Sequence, residues 1–496
     1  MQTSWYARRP TLAAFLGLLA LAALFYLPLL LGLRTFADGD FTHHFLPFSL
    51  FQHAALRGLT LPLWNPYTYS GHPFLADIQA AAYVPVSNAL LFLTLPFDEP
   101  AARLYWLQVE AILQTALGGF FVYLLLVDLT NTRLAAFAGG AIFLLSGYLT
   151  AYPPLQLAVL RSAIWLPLIF WFLWRAFGRG RPLVNPDGNP HTVATGGKGV
   201  GFLSRYSRRS VLGWWIGGGV AYAVAFTAGH PQTFLHISYA TAAWTLFLWI
   251  AAVRRGTNSW WQPLPGLALF VVAAAGLSAA QLLPSLEFTR LSVRAAVDYA
   301  YVSGGFPLRD TWQLFLPKIF TQYSPLYVGA AGLALAFFGL GALTSGRYAS
   351  ATAEPDRPAS TRSVIAFFAL LGLIALLLSY GANGFLYPLF YRLAPGWSLF
   401  RGQERAAYLV ALSLSVLAGF GMAALPHMGL RLRKRLALLY GAGLTMLVYT
   451  LGLLWQATGR TVIGPWHYLL IATLTLLFGI GAALLAWLPG WNRRRA

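Results

Sequence analysis

The sequence predicts an all-α integral membrane protein with about twelve transmembrane helices and interfacial helices in its first outer loop. Three observations carry that reading. Of 496 residues, 58% are hydrophobic and only 10% are charged, far from the balance of a soluble globular domain. Apolar runs near the roughly 20 residues needed to cross a hydrocarbon layer about 30 Å thick recur along the whole chain. The Lys and Arg residues fall mainly in the connectors between those runs, as the positive-inside rule requires.

In order, the runs cover approximately 12–33, 104–127, 134–151, 156–176, 210–228, 233–253, 264–286, 325–345, 363–380, 405–425, 434–455 and 464–488. The first follows Arg8-Arg9-Pro10, is too long for a signal-peptide core and has no small-residue cleavage pattern after it, so it reads as a retained span. An even number of spans puts both termini on one side. With Arg8 and Arg9 inside, 22 of the 34 Lys and Arg lie on the inner side and 10 of the 14 acidic residues on the outer side. The expectation is a single polytopic domain over 1–496 in a bacterial plasma membrane, both termini cytoplasmic, with the chemistry on the extracytoplasmic face.

A net charge of +20 and a pI near 10.3 would suit a nucleic-acid binder only if the basic residues shared one soluble face. They are spread over separate connectors, so no nucleic-acid partner is expected. The absence of Cys excludes disulfides, thiolate metal sites, Cys nucleophiles and iron–sulfur clusters. The inner connector 177–209, rich in Gly, Pro, Asn and Arg, and the connector 346–362, which opens Gly-Arg-Tyr-Ala-Ser-Ala-Thr-Ala-Glu-Pro-Asp-Arg-Pro, read as unstructured. The outer loops 34–103, 287–324 and 381–404 are long and aromatic.

The first of these, 34–103, holds the densest set of reactive side chains. Phe41, Phe45, Phe48, Phe51, Ala55 and Leu59 recur at three- and four-residue steps, the pattern of a helix lying in the interface. The run 79–97 is interrupted by Pro85 and is not expected to span. Asp38 and Asp40 follow the first span directly, and in an extended segment an i, i+2 pair projects to one side. Such carboxylates can act as a general base toward a hydroxyl, can bind a divalent cation such as Mg or Mn, or can simply solvate a turn. Adjacent His43 and His44 point apart on a helix and read as polar groups at an interface. Trp64, Asn65 and Tyr67 mix aromatic faces with an amide, suited to a sugar or to an interfacial belt. His72 and Asp77 complete the candidate set of the loop. His72 lies in Gly71-His72-Pro73, a triplet that recurs as Gly229-His230-Pro231, followed by Gln232.

Outer cations are not explained by the positive-inside rule. Glu287, Arg290 and Arg294, spaced i, i+3, i+7, share a helical face, and Arg401, Glu404 and Arg405 form a similar group. Either set pairs locally, or the arginines hold a phosphate through their planar forks. Lys318 is a third cation on the outer side. Glu110 and Arg161 fall inside spans, where an isolated charge costs roughly 2.5–3.5 kcal/mol, and are expected to pair.

The order of short motifs resembles the YfhO family of bacterial membrane proteins, which look like GT-C glycosyltransferases that use polyprenyl-phosphate-linked sugars. The matching pieces are Asp38-Gly39-Asp40, Leu63-Trp64-Asn65-Pro66-Tyr67, Ser70-Gly71-His72-Pro73 with Ala76-Asp77, Tyr83-Val84-Pro85, Leu145-Ser146-Gly147, Trp165-Leu166-Pro167-Leu168, Gly229-His230-Pro231-Gln232, Gln281-Leu282-Leu283-Pro284 with Glu287, Ser292 and Arg294, and Phe400-Arg401 with Arg405. The resemblance implies a GT-C-like fold with an outer active site. It implies Asp38 or Asp40 as base toward a glycan or lipid acceptor, and Arg294, Arg401 and Arg405 as ligands of the donor phosphate. Arg290 and Lys318 extend that basic set, and Trp64, Asn65, Tyr67, His72, Asp77, His230, Gln232 and Glu287 are candidate sugar or acceptor contacts. The expected activity is transfer of a sugar from a polyprenyl-phosphate carrier. A transporter or flippase of lipid-linked sugars, or a non-catalytic glycolipid-binding scaffold, is the alternative.

Overall fold

A computed structural model describes residues 10–36, 39–151, 156–178, 200–291, 298–317, 323–352 and 357–458. Among these residues helix dominates, and the only sheet is an antiparallel ladder of two-residue strands, Trp64–Asn65 against His72–Pro73. Six of the described helices are long and apolar enough to cross a membrane: Pro100–Thr130, Leu157–Phe177, Pro231–Arg254, Leu264–Arg290, Thr361–Ser379 and Gln403–His427. Four more apolar helices, Pro10–Phe25, Arg133–Leu144, Val211–Thr227 and Ala330–Thr344, have 10–17 residues. The chain is therefore an all-α membrane protein with several passes. The run 464–488 lies outside the described residues, as does most of the connector 177–209.

Several predicted spans are interrupted, each for a local reason. The run 134–151 stops at Leu144 and resumes at Gly147–Ala151. There the Gly147 N–H donates to the Tyr327 carbonyl at 2.7 Å, and a Cβ on Gly147 would overlap the Ser324 carbonyl. The run 12–33 breaks at Tyr26, ahead of Pro28 in the short helix Leu27–Leu30. Within 325–345 helix starts only at Ala330, after Gly329 at φ +81°. The connector 346–362, expected without structure, opens with the helix Gly346–Ala351, capped where the Ser345 side chain accepts from the Tyr348 N–H.

The described residues divide into two compact units. The first comprises 1–125, 153–296 and 354–359, and the second 126–152, 297–353 and 360–496. In the first unit, helices Val200–Thr227 and Leu264–Arg290 approach closely because small residues face each other. A Cβ on Gly219 would meet the Phe270 carbonyl at 2.5 Å, and one on Gly266 would overlap the Trp215 ring. Such small-residue contacts bring helices together where apolar burial alone gives no preference over lipid. The fully buried Trp244 stacks on Phe170, 5.1 Å between centroids, and donates its Nε1–H to the Phe170 carbonyl, joining Pro231–Arg254 to Leu166–Phe177.

The second unit is built the same way around Ala407–Ala424, which is buried along nearly its whole length. Cβ atoms on Gly339 and Gly421 would overlap the carbonyls of Leu417 and Leu335, so Ala330–Gly341 lies with its backbone directly against this helix. The loop 302–306 is fastened to the end of Thr361–Ser379. Phe306 N–H donates to the Ser379 carbonyl at 2.9 Å, and Ala382 N–H to the Ser303 carbonyl at 2.7 Å.

Candidate functional site

The first outer loop is the start of the site. The segment before Asp40 is pinned where the Phe36 N–H donates to Gln108 Oε1 at 2.8 Å, and the Phe36 ring meets Phe41 edge-on at 5.1 Å. Gly39 has φ +147°, and its carbonyl accepts from the N–H groups of Thr42 and His43. From there a π-helical turn, Phe41–Phe45, runs into the helix Leu46–Arg57. Widened turns of this kind recur at functional sites. Asp40 stands exposed at the head of this helix, and its Oδ2 accepts from Gln156 Nε2 at 3.0 Å. A carboxylate there is favoured by the helix dipole. Asp38 lies outside the described residues.

The apolar face foreseen for this helix is present, with Phe41, Phe45 and Phe48 buried. That face packs on protein: Phe48 clusters with Phe74 and Ala80 of the same loop. The run 79–97 does not span, as expected, and Pro85 opens the helix Pro85–Leu93.

Behind the helix sits a hydrogen-bonded relay. The two-residue ladder sets Asn65 opposite His72. Asn65 is buried; its Oδ1 accepts from the Tyr67 N–H, and its Nδ2 donates to Thr68 Oγ1 at 3.0 Å. Thr68 Oγ1 lies 3.0 Å from His72 Nδ1. Thr68 keeps both a donor and a second acceptor lone pair for this contact, so it serves either tautomer of His72; the other ring nitrogen is Nε2. That nitrogen is buried, has no hydrogen-bond partner, and faces Asp77 Oδ2 at 3.6 Å, longer than a hydrogen bond. Asp77 Oδ1 accepts from the Gln79 N–H at 2.9 Å, so the carboxylate caps the 3₁₀ turn Ile78–Ala80. Its other oxygen remains turned to His72. Asn65 thus holds the ladder turn and the relay, whereas Trp64, Tyr67 and Tyr69 are exposed.

His44 joins this cluster from the π turn. Its ring is half-buried, 4.3 Å from Phe48 between centroids, and its Nε2 is buried without a partner. Burial holds its pKa below the ordinary value, opposed by the charges of Asp77 and Asp40 and reinforced slightly by His72. Unfolded His44 therefore binds a proton more readily than folded His44, and stability is lost as pH falls below the ordinary value near 6.5. The apparent melting temperature is expected to drop between pH 7.5 and 5.5, and to drop less in His44→Gln, as read by intrinsic fluorescence in detergent.

The second Gly-His-Pro triplet packs against the same loop. Gly229 has φ +103°, and a Cβ on it would meet the Ile78 carbonyl at 2.9 Å. His230 Nδ1 accepts from the Thr233 N–H at 3.1 Å and so caps Pro231–Arg254. His230 thus caps a helix through Nδ1, and Gln232 two residues on is buried. Gly229→Ala is expected to cost about 1–3 kcal/mol, from the positive φ and the crowded carbonyl together, as a fall in apparent melting temperature.

The end of Leu264–Arg290 closes the cluster. Gln281 Nε2 donates to the Leu75 carbonyl at 3.0 Å, and Ser285 Oγ to the Ala76 carbonyl at 2.7 Å. Phe288 stacks on His72, 6.4 Å between centroids. Glu287 and Arg290 are exposed on the same last turns. Arg294, Ser292 and Lys318 lie outside the described residues.

Below the loop, Glu110 and Arg161 form the expected buried pair. Arg161 Nε and Nη2 donate to the two carboxylate oxygens at 2.7 and 3.0 Å, and Ser87 Oγ and Gln114 Nε2 add bonds at 2.6 and 2.8 Å. Sequence reading passed over Arg103, which is also buried and donates through Nη1 to Thr94 Oγ1 at 2.8 Å.

In the second unit, Gly402 at φ +77° turns the chain so that Arg405 Nη1 donates to the Arg401 carbonyl at 3.0 Å. The exposed Arg401 guanidinium lies 5.5 Å above the Tyr301 ring. Gln403 Nε2 ties the turn to the Val302 and Phe400 carbonyls at 3.0 and 2.7 Å. Asp310 is buried nearby in sequence, its carboxyl pKa raised by burial and only partly lowered by Arg309 at 4.0 Å.

Among the described residues no three His, Asp or Glu side chains converge in a way that could hold a metal ion. Asp40 uses one oxygen on Gln156 and Asp77 one on Gln79, which leaves no assembled oxygen cage there.

No family profile matches the chain, and no curated protein matches its sequence. Two solved structures are similar. One is the archaeal oligosaccharyltransferase AglB from Archaeoglobus fulgidus in complex with an inhibitory peptide and a dolichol-phosphate, at 13% identity over 97% of this chain and 56% of that one, TM-score 0.44. The other is the Archaeoglobus fulgidus oligosaccharyltransferase in the apo form, at 12% identity over 98% of this chain and 56% of that one, TM-score 0.45. The chain thus spans little more than half the length of these structures.

Proposed function

We propose that the protein is a membrane glycosyltransferase that moves a sugar from a polyprenyl-phosphate carrier to an acceptor hydroxyl on a cell-envelope glycan, polymer or lipid at the extracytoplasmic face. The observation that carries the reading is Asp40: an exposed carboxylate at a helix head, oriented by Gln156, with His44, His72 and Asp77 in the same unit. The order of motifs resembling the YfhO family supports it.

In this account Asp40 accepts the proton of the acceptor hydroxyl. The freed oxygen pair forms the bond to the anomeric carbon while the bond from that carbon to the carrier phosphate oxygen breaks, and the phosphate leaves with the electron pair. A single displacement of this kind inverts the anomeric centre. Asp38 stands two residues away as the alternative base. Exposed Trp64 and Tyr67 offer flat faces to a sugar ring, and for the departing phosphate the resemblance nominates Arg294, Arg401 and Arg405, with Arg290 and Lys318 as further cations of the sequence. Twelve spans, both termini cytoplasmic, in a bacterial plasma membrane, is the topology that would put this loop outside.

The experiment is incubation of purified protein in liposomes with a radiolabelled polyprenyl-phosphate hexose, with and without EDTA. Transfer of label to an acceptor or to water supports the enzyme, and its EDTA sensitivity decides whether Mg or Mn is required. Protein-dependent scrambling of labelled lipid between leaflets, without turnover, would favour the flippase.

A further inference from the structure

In the first outer loop, protein covers the Phe41, Phe45 and Phe48 face that the sequence suggested for the interface. The arm 58–63 that follows is bare instead: Leu59, Leu61 and Leu63 are 95%, 72% and 59% exposed. From 58 to 76 the chain holds no Lys, Arg, Asp or Glu. Apolar side chains grouped in this way on a surface mark a partner. One of them also sits at a backbone cost. The helix Leu46–Arg57 ends with the Thr60 N–H donating to the Ala55 carbonyl at 2.9 Å, and Leu59 takes φ +54°, the left-handed region that glycine fills without strain. Packing within the chain does not account for a leucine there, because its side chain is almost wholly exposed.

The arm is fastened to the end of a membrane span. Phe74 N–H donates to the Leu63 carbonyl at 2.9 Å, and the next two carbonyls, of Leu75 and Ala76, accept from Gln281 and Ser285 of Leu264–Arg290. That helix has 27 residues, more than the roughly 20 that cross the hydrocarbon, so its last turns stand at the level of the headgroups. Leu283 and Leu286 on these turns are exposed, as lipid-facing residues of a span are.

We infer that the arm 58–63 is a membrane-contacting finger, whose Leu59, Leu61 and Leu63 enter the headgroup–acyl boundary of the leaflet beside the last turns of Leu264–Arg290. The occupant of this surface is the bilayer itself. Leucines carry no donors or acceptors with which to read a sugar, and the boundary layer takes up leucine together with tyrosine, here the exposed Tyr69. The bond from Thr60 to Ala55 passes this anchorage to the helix Leu46–Arg57 and so to the end that Asp40 heads. The inference concerns lipid contact and stands whether or not the protein transfers sugar.

The chain has no cysteine, so Leu61→Cys, Leu63→Cys and, as an exposed charged control in the same loop, Glu99→Cys each carry one thiol for an environment-sensitive fluorophore. Each labelled full-length protein is reconstituted in phosphatidylcholine vesicles and quenched in turn by a nitroxide on the lipid acyl chain and by aqueous iodide. The probes at 61 and 63 are expected to emit to the blue of the control, with several-fold stronger quenching by the nitroxide and several-fold weaker quenching by iodide. Iodide quenching at the level of the control, without quenching by the nitroxide, would overturn the inference. So would protection from both quenchers, which would mean that protein, such as a second copy of the chain, covers the arm.

Discussion

Arg161→Ala is expected to destabilise the protein by about 3–5 kcal/mol, the cost of leaving a buried carboxylate without its partner. Glu110 would keep Ser87 and Gln114 as donors but would lose the cation that meets both its oxygens. The pair itself has a different worth, because two charges removed from water recover little beyond their desolvation. Glu110→Leu combined with Arg161→Met should therefore regain much of the loss, in a double-mutant cycle read by thermal unfolding in detergent. A double variant as unstable as Arg161→Ala would show that the ion pair is not what the single change disrupts.

Asp40→Asn is expected to lower the rate of sugar transfer by roughly 10²- to 10⁴-fold, the usual contribution of a positioned general base. The amide has the shape of the carboxylate and cannot take the proton. The loss should appear in kcat with KM nearly unchanged, because the proton moves only in the transition state. Gln156→Ala removes the amide that orients Asp40 and should lower kcat by less, since the carboxylate remains. Asp40 is exposed, so neither change should move the melting temperature, and an activity loss accompanied by unfolding would count against the assignment.

Local periodicity made much of this legible in the sequence. The Phe41, Phe45, Phe48 face, the break at Pro85 and the burial of Glu110 with Arg161 follow from spacing and from the cost of charge in a membrane. The interrupted spans were not legible. Gly147 ends a helix because the Tyr327 and Ser324 backbone occupies its surroundings, and a contact so distant in sequence leaves no periodic trace.

The site shows the same division. Asp40 was nominated from its neighbours, while the residue that orients it, Gln156, lies 116 positions away. Asn65 and His230, nominated as sugar contacts, also hold a hairpin and cap a helix, which no spacing announced. Both are residue types whose side chains bond to nearby backbone as readily as to a ligand. His44 was read as a polar group at an interface and Arg103 was passed over, because burial, which gives each its character, is a property of packing. A signal for Arg103 existed: a cation nine residues from Thr94, in the first turn of an apolar helix.

The measurement that bears most directly on the whole account is the fate of a radiolabelled polyprenyl-phosphate hexose given to wild type and Asp40→Asn in parallel, in sealed liposomes with leaflet distribution followed at the same time. The account predicts that wild type moves label to an acceptor or to water, and that Asp40→Asn, present at equal amount and equally folded, does so at least a hundredfold more slowly, in line with the loss of a general base. Equal turnover by both proteins, or redistribution of intact labelled lipid between leaflets with no turnover by either, would contradict it.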